Sequence, residues 1–341
     1  MLKTALRLGI PISLAVCAGL VCGCGGGISH QGSIASKSPA AKQQQQTYDI
    51  AFVRQSDGSN GATPPIGMAS GNSGLFLTSD GAAPGSESNI LDGGDFWGVD
   101  ISPDGSTLAF TARDTSGNIQ LYLMNIGGGN IVQVTTGQEW PEAPRFSSDG
   151  SLVLYDRWDY NIGNAQLFEV PVSGSPEVEI TSSDLAALYT YGPSLTPDGS
   201  RIVFTGFADA PSIYIVNVDG TQLTQLTNGD WATAMDSFPT VSPDGSYVVF
   251  ARINWSNMPP CDFTYTCGWN LYQVGITGEL VGPAASPLTS DNVSGEPRFL
   301  DGDILFLGSP DSASSQIVKM NPDGTGRTQI TDTPYFQVFT Y

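Results

Sequence analysis

A short motif recurs along the chain, in which an Asp-Gly turn joins a polar lead-in to an apolar strand. Four copies are close matches and a fifth is degenerate; they occupy residues 101–110, 146–155, 195–204, 241–250 and 299–306. Asp and Gly tolerate the backbone angles of a tight turn, so Asp104, Asp149, Asp198 and Asp244 are predicted to be structural. Self-similarity at this spacing indicates one structural unit used many times.

Each unit has a second half with its own pattern. A second apolar strand, a Gly turn and a closing Val-Thr, Ile-Thr or Leu-Thr strand follow the first, as in residues 213–216, 217–220 and 226–227. The unit is therefore four short strands. Nearly continuous apolar runs such as residues 202–204 are typical of strands covered on both faces. Radial stacking of such sheets predicts an all-β protein, a β-propeller.

The number of units predicts six blades of four antiparallel strands. Five units are full and the first is partial: residues 49–53 match a second strand and no innermost strand precedes them. The segment 334–339 follows the last Ile-Thr and can supply the missing strand. A ring closed by strands from both ends of the chain leaves no open sheet edge.

The repeated Ser-Pro-Asp-Gly turn, Ile-x-Phe strand, Ile-Tyr strand and closing Leu-Thr resemble the TolB-like β-propeller family. The resemblance spans residues 48–341 and implies the propeller fold more firmly than any function. No separate α/β domain precedes the predicted propeller, unlike in TolB itself. Docking roles of TolB that depend on that domain are therefore not carried over.

The N-terminal segment is predicted to be a bacterial lipoprotein signal peptide, residues 1–23. Lys3 and Arg7 form a positive region ahead of an apolar stretch. The sequence Val-Cys-Gly-Cys that follows resembles a lipobox, which implies lipidation of Cys24; an uncleaved membrane anchor is the alternative. Gly25 stands where the lipoprotein family uses Asp for inner-membrane retention, which favours the outer membrane, facing the periplasm. Residues 24–47 are polar and are predicted to be a flexible tether.

The charge is strongly acidic. The chain has 13 Lys and Arg against 33 Asp and Glu, a net charge of −20. Such a surface repels nucleic-acid phosphates and anionic lipid, so the predicted membrane contact is through the lipid anchor alone. The charge can equally serve only to keep an exported protein soluble. We expect a monomer whose partner is an envelope protein or glycan.

Aromatic residues concentrate in loops predicted to lie opposite the Asp-Gly turns. The candidate binding-face residues are Trp97, Trp140, Trp158, Trp231, Trp255, Trp269, Tyr160 and Tyr265. Trp and Tyr combine a large apolar face with a polar edge, which suits sugars and protein partners. The alternative is that the rings pack between blades. Cys261 and Cys267, in the longest insertion there, are predicted to form a local disulfide.

Acidic residues in the same loops, above all Glu142, Asp236 and Glu296, are candidate calcium ligands, because Ca²⁺ prefers oxygen donors. His30 is the only histidine of the chain and lies in the tether, so a Ser-His-Asp or Cys-His site on the propeller is excluded. The sequence therefore favours a non-catalytic binding module with no confirmed cofactor. The alternative is a calcium-dependent, carboxylate-based hydrolase or lactonase at the channel mouth.

Overall fold

The computed structural model describes residues 49–55, 70–159, 164–174, 176–180, 188–255, 268–278, 284–308, 315–332 and 337–338. They form six four-stranded antiparallel sheets. Blades 1 to 3 contain β1 (Ile50–Gln55), β2 (Ser70–Thr78), β3 (Ser88–Gly94), β4 (Phe96–Ile101), β5 (Thr107–Arg113), β6 (Ile119–Asn125), β7 (Val132–Gln133), β8 (Trp140–Phe146), β9 (Leu152–Asp159), β10 (Asn164–Pro171) and β11 (Val178–Glu179). Blades 4 to 6 and the closing strand contain β12 (Tyr189–Leu195), β13 (Arg201–Phe207), β14 (Pro211–Asn217), β15 (Thr224–Gln225), β16 (Ala234–Val241), β17 (Tyr247–Asn254), β18 (Trp269–Gly275), β19 (Ser286–Pro287), β20 (Ser294–Leu300), β21 (Asp303–Gly308), β22 (Gln316–Met320), β23 (Thr328–Gln329) and β24 (Gln337–Val338).

Blade 1 is closed by strands from both ends of the propeller, as the sequence predicts. Its order is β24-β1-β2-β3, so β24 takes the innermost position that the first strand of each other blade occupies. The antiparallel pairs are Val53 with Val338 and Arg54 with Gln337. The six-bladed fold predicted from the repeat count is therefore confirmed. Among the residues described, no helix is long and apolar enough to cross a membrane.

The Asp-Gly turns join the first and second strands of their blades. The glycines of the four close copies have φ between 68° and 72°, and Gly302 of the degenerate copy has φ of 92°, a left-handed conformation that glycine adopts without steric cost. In the third copy Asp198 Oδ1 accepts hydrogen bonds from Ser200 N at 3.0 Å and from Thr196 Oγ1 at 2.6 Å. The hydroxyl of Ser147 and then the amide of Ser151 lower the pKa of the equivalent Asp149 to about 2. These carboxylates stabilise turns.

The core consists of apolar clusters between neighbouring blades. One cluster joins blades 6, 1 and 2, and four more lie at the remaining boundaries. In most blades an aromatic residue of the second strand packs on its cross-strand partner in the third. Phe204 and Tyr214, for example, stack with ring centroids 5.9 Å apart. Such pairs stabilise a sheet beyond the area they bury.

Antiparallel alternation divides the connections between two faces of the ring. The Asp-Gly turns and the turns between third and fourth strands lie on one face, which we call the turn face. The loops between second and third strands and the blade-to-blade connections lie on the opposite face. Because most of the candidate aromatic residues lie at or near its loops, we call it the Trp face.

Candidate functional site

The innermost strands of blades 3 to 6 carry a β-bulge at the same point, each with a residue of positive φ immediately before a proline. These residues are Ala143, Gly192, Phe238 and Glu296, with φ of 47°, 62°, 57° and 48°. The strand register shifts at each of them. Bulges of this kind redirect side chains and are frequent beside functional sites. Here they shift the register between the first and second strands of each of these blades.

Polar side chains connect neighbouring blades around the channel. Asp100 Oδ2 of blade 2 accepts a hydrogen bond from Phe146 N of blade 3 at 2.8 Å. Asp156 Oδ1 of blade 3 accepts one from Gly192 N of blade 4 at 3.1 Å. These bonds satisfy backbone groups of the innermost strands that have no neighbouring strand on their inner side. Part of the polar channel lining is therefore structural.

Two acidic residues are neighbours on adjacent strands of blade 3. Glu142 and Asp156 are cross-strand partners of β8 and β9, and Asp156 is 2% exposed. Burial raises the pKa of Glu142 to about 7. Burial first, and then the Glu142 carboxyl, raise the pKa of Asp156 well above its ordinary value. Asp156 is buried and Glu142 is half-buried, and two carboxyls on cross-strand partners cannot both ionise there without a large cost, so the pair retains a proton near neutral pH.

Arg145 is the buried cation beside this pair. It is 8% exposed, and it interacts electrostatically with Asp100, Glu296 and Asp156. Burial lowers its pKa and these carboxylates oppose the change. Burial, followed by Glu296, Glu142 and Asp156, raises the pKa of Tyr191 well above its ordinary value, so this phenol is a hydrogen-bond donor at neutral pH.

The candidate calcium ligands do not form a metal cluster. Both carboxylate oxygens of Asp236, which is fully buried, bind Arg252: Nε at 2.6 Å and Nη2 at 2.7 Å. Glu142 faces Asp156, and Glu296 occupies the bulge of blade 6. Within the described ranges no group of three or more His, Cys, Asp or Glu residues is placed to hold a metal ion.

Four of the candidate tryptophans lie in strands, which corrects their assignment to loops. Trp97 is the second residue of β4, Trp140 begins β8, Trp158 is near the end of β9 and Trp269 begins β18. All four are half-buried. The strands therefore run further towards the Trp face than the apolar pattern indicates.

The rings form an arc around the Trp face. Trp97 meets Trp140 edge-on at 5.3 Å, and Trp140 is the cross-strand partner of Trp158. The ring centroids of Trp158 and Tyr189 are 5.3 Å apart, and those of Tyr189 and Phe207 are 4.8 Å apart. The arc thus runs through blades 2, 3 and 4. Packing between blades, the alternative that the sequence left open, accounts for much of the surface of these rings.

Trp231 differs from the other tryptophans because it is 57% exposed. It lies in the connection between blades 4 and 5, where Asp230 N donates to Ala234 O and Ala234 N donates to Asp230 O, both at 2.8 Å. Asp230 Oδ1 also accepts a hydrogen bond from Ala232 N at 2.8 Å. Trp255 N, from the next loop, donates to Thr233 O at 2.9 Å. This exposed ring is therefore carried by a well-braced loop.

Cavities open on both faces. One of about 360 Å³ lies on the turn face between blades 6, 1 and 2, lined in part by Asp49, Asp100 and Arg298. No motif of the sequence predicts this cavity, because the Asp-Gly turns beside it have a structural role. A second cavity of about 330 Å³ lies on the Trp face between blades 2 and 3, lined by Arg113, Gly117, Asn118, Ile119, Gln138 and Trp140. The sequence shows Arg113, Asn118 and Gln138 in the loops around this cavity, but it does not show that they line a common space.

The remaining predicted site residues, Cys24, Cys261, Cys267, Tyr160 and Tyr265, lie outside the described residues. Lipidation and the disulfide therefore stay predictions.

The chain is similar in sequence or fold to several known β-propellers, including proteins of the TolB type. Residues 97–259 match PD40, the TolB beta propeller domain. TolB from Acinetobacter baumannii superposes with a TM-score of 0.63 at 19% identity, over 85% of this chain and 65% of that one. A putative TolB from Agrobacterium tumefaciens gives 0.57 at 19% identity, over 75% and 86%. A chain of the nidogen/laminin complex gives 0.59 at 8% identity, over 84% and 96%.

The protein is a six-bladed β-propeller, and residues 97–259 of it are similar to the TolB beta propeller domain. At these identities the solved structures establish the shared fold. The chain spans 65% of the length of the Acinetobacter protein, so the activities and partners of the whole TolB protein do not follow from the comparison.

Proposed function

We propose that this propeller is a non-catalytic binding module of the cell envelope that holds a protein partner on its Trp face. Trp231 carries the proposal: it is a large aromatic side chain, 57% exposed, on a loop that several hydrogen bonds fix in place. Aromatic side chains of this kind anchor protein interfaces, and a rigid loop loses little entropy on binding. The TolB-like propeller is consistent with a scaffold of this type.

In this proposal Cys24 carries the lipid that attaches the chain to the outer membrane on its periplasmic side, and residues 24–47 let the propeller move near that surface. The test is direct. Cys24→Ser should move the protein from the membrane fraction to the soluble fraction. If the variant stays in the membrane fraction, Cys24 is not the lipidated residue. That result would leave the proposed protein interface on the Trp face unaffected.

The partner test compares two exposed apolar residues. Crosslinking in the native envelope first identifies the proteins that contact the propeller. Trp231→Ala should weaken capture of the principal crosslinked protein by about 30-fold, which is the effect of losing about 2 kcal/mol at a hot spot. Val132→Ala is the matched control, because Val132 is also 57% exposed but lies on the outer strand of blade 2. Equal capture by the Trp231 and Val132 variants would show that the Trp face is not the interface.

A further inference from the structure

We propose that the cavity between blades 2 and 3 on the Trp face is a subsite for one neutral sugar ring. This subsite is separate from the Trp231 loop. It adds a glycan ligand to the protein partner proposed above and does not depend on that partner.

The guanidinium of Arg113 lines the cavity and is held in place by two hydrogen bonds. Its Nε binds Asp95 Oδ2 at 2.8 Å, and its Nη1 donates to Gly117 O at 2.8 Å. Its guanidinium lies 5.9 Å from the ring centroid of Trp97 and 5.7 Å from that of Trp140. Among the contacts of the described residues, Nη2 makes no hydrogen bond, and the side chain is 30% exposed. A fixed guanidinium therefore presents two N–H donors to a ligand.

Further polar groups line the cavity or lie beside Arg113 at its edge. Asp95 uses only one carboxylate oxygen for Arg113, and its side chain is 31% exposed. The side-chain amides of Asn118 and Gln138 line the cavity, and neither makes a hydrogen bond within the described part of the chain. An Arg donor next to an Asp acceptor matches two adjacent hydroxyls, each of which donates and accepts. The two amides offer the same combination.

The shape and the charge select the ligand class. A pyranose has an apolar C–H face, for which the Trp140 ring in the cavity wall is a suitable surface, and a polar edge of hydroxyls. The volume of about 330 Å³ is at the small end of ligand pockets and has room for one sugar ring. Three carboxylates on these loops, Asp95, Asp114 and Glu139, outnumber the single Arg113. An anionic sugar would be repelled, so the ligand is neutral.

The test uses the purified full-length chain and a panel of methyl glycosides of glucose, galactose and mannose, with methyl glucuronide as the charged counterpart. Saturation-transfer NMR and tryptophan fluorescence report binding. One neutral glycoside should bind with a Kd of about 1 mM, the affinity expected of a ligand of this size. The combined variant Asn118→Ala and Gln138→Ala should weaken it by about tenfold or more.

Asn89→Ala is the matched control, because Asn89 is an exposed amide on β3 in blade 1, and it should leave binding unchanged. Tighter binding of the glucuronide, no transfer to any neutral glycoside, or equal binding by the double variant would each overturn the subsite. Thermal melting shows whether the variants fold. Trp231→Ala should retain sugar binding, so loss of the protein partner and loss of the sugar are distinguished.

Discussion

Replacing Glu142 by Gln should stabilise the propeller above neutral pH and change its stability little in acid. Burial raises the pKa of this carboxyl from 4.5 to about 7. Between those values the folded chain binds more protons than the unfolded chain, so the free energy of unfolding falls as pH rises. At about 1.4 kcal/mol per pKa unit, ionising Glu142 costs about 3 kcal/mol, and that cost is complete above about pH 7.

The assay is urea unfolding of the wild-type protein and Glu142→Gln, followed by tryptophan fluorescence. At about pH 4.5 the two curves should nearly coincide, and at about pH 8 the variant should be more stable by about 3 kcal/mol. Glu179→Gln is the control, because Glu179 is exposed on β11 and should give the same small difference at both pH values. An equal gain at both pH values, or none, would refute the reasoning from a buried acid pair.

Three further perturbations test the scaffold. Phe204→Ala should lower the free energy of unfolding by about 3 to 5 kcal/mol, measured in urea, because it removes a fully buried ring stacked on Tyr214; a loss below about 1 kcal/mol would contradict that packing. Asp236→Asn should lower the free energy of unfolding by about 3 kcal/mol, because the Arg252 charge loses its carboxylate partner. The double variant Asp236→Leu with Arg252→Met should recover most of that stability. An equal loss of stability in both variants would argue against an ion-pair effect. Truncation before residue 333 removes β24 and exposes the inner edge of β1, so calorimetry should show a lower Tm and sedimentation should show self-association; unchanged values of both would exclude closure by this strand.

The scaffold was accessible from sequence because its signals are local. Each Asp-Gly turn specifies its own hairpin, and the first repeat lacks the sequence motif of an innermost strand, which predicts that the C-terminal strand β24 fills that position. These features depend on turn chemistry and apolar spacing within a few residues. The four residues before prolines on the innermost strands were also visible as a repeat, although nothing local showed that they would adopt positive φ.

The sites were less accessible because they depend on register across strands. The bulge after Glu142 shifts the pairing of β8 with β9, so strict alternation no longer tells which side chains face the channel. Whether Glu142 would meet Asp156 could not be read from spacing alone. The exposure of Trp231, in contrast to the half-buried Trp97, depends on which rings find partners in neighbouring blades.

The separate apolar clusters at the blade boundaries have a consequence for how such a protein can evolve. A substitution in one cluster, such as the one between blades 4 and 5, has no direct contact with the cluster between blades 2 and 3. Effects on stability at distant boundaries should therefore add. A lineage can then alter the loops of one blade, test a new ligand there and retain the ring, because the other boundaries keep their own packing.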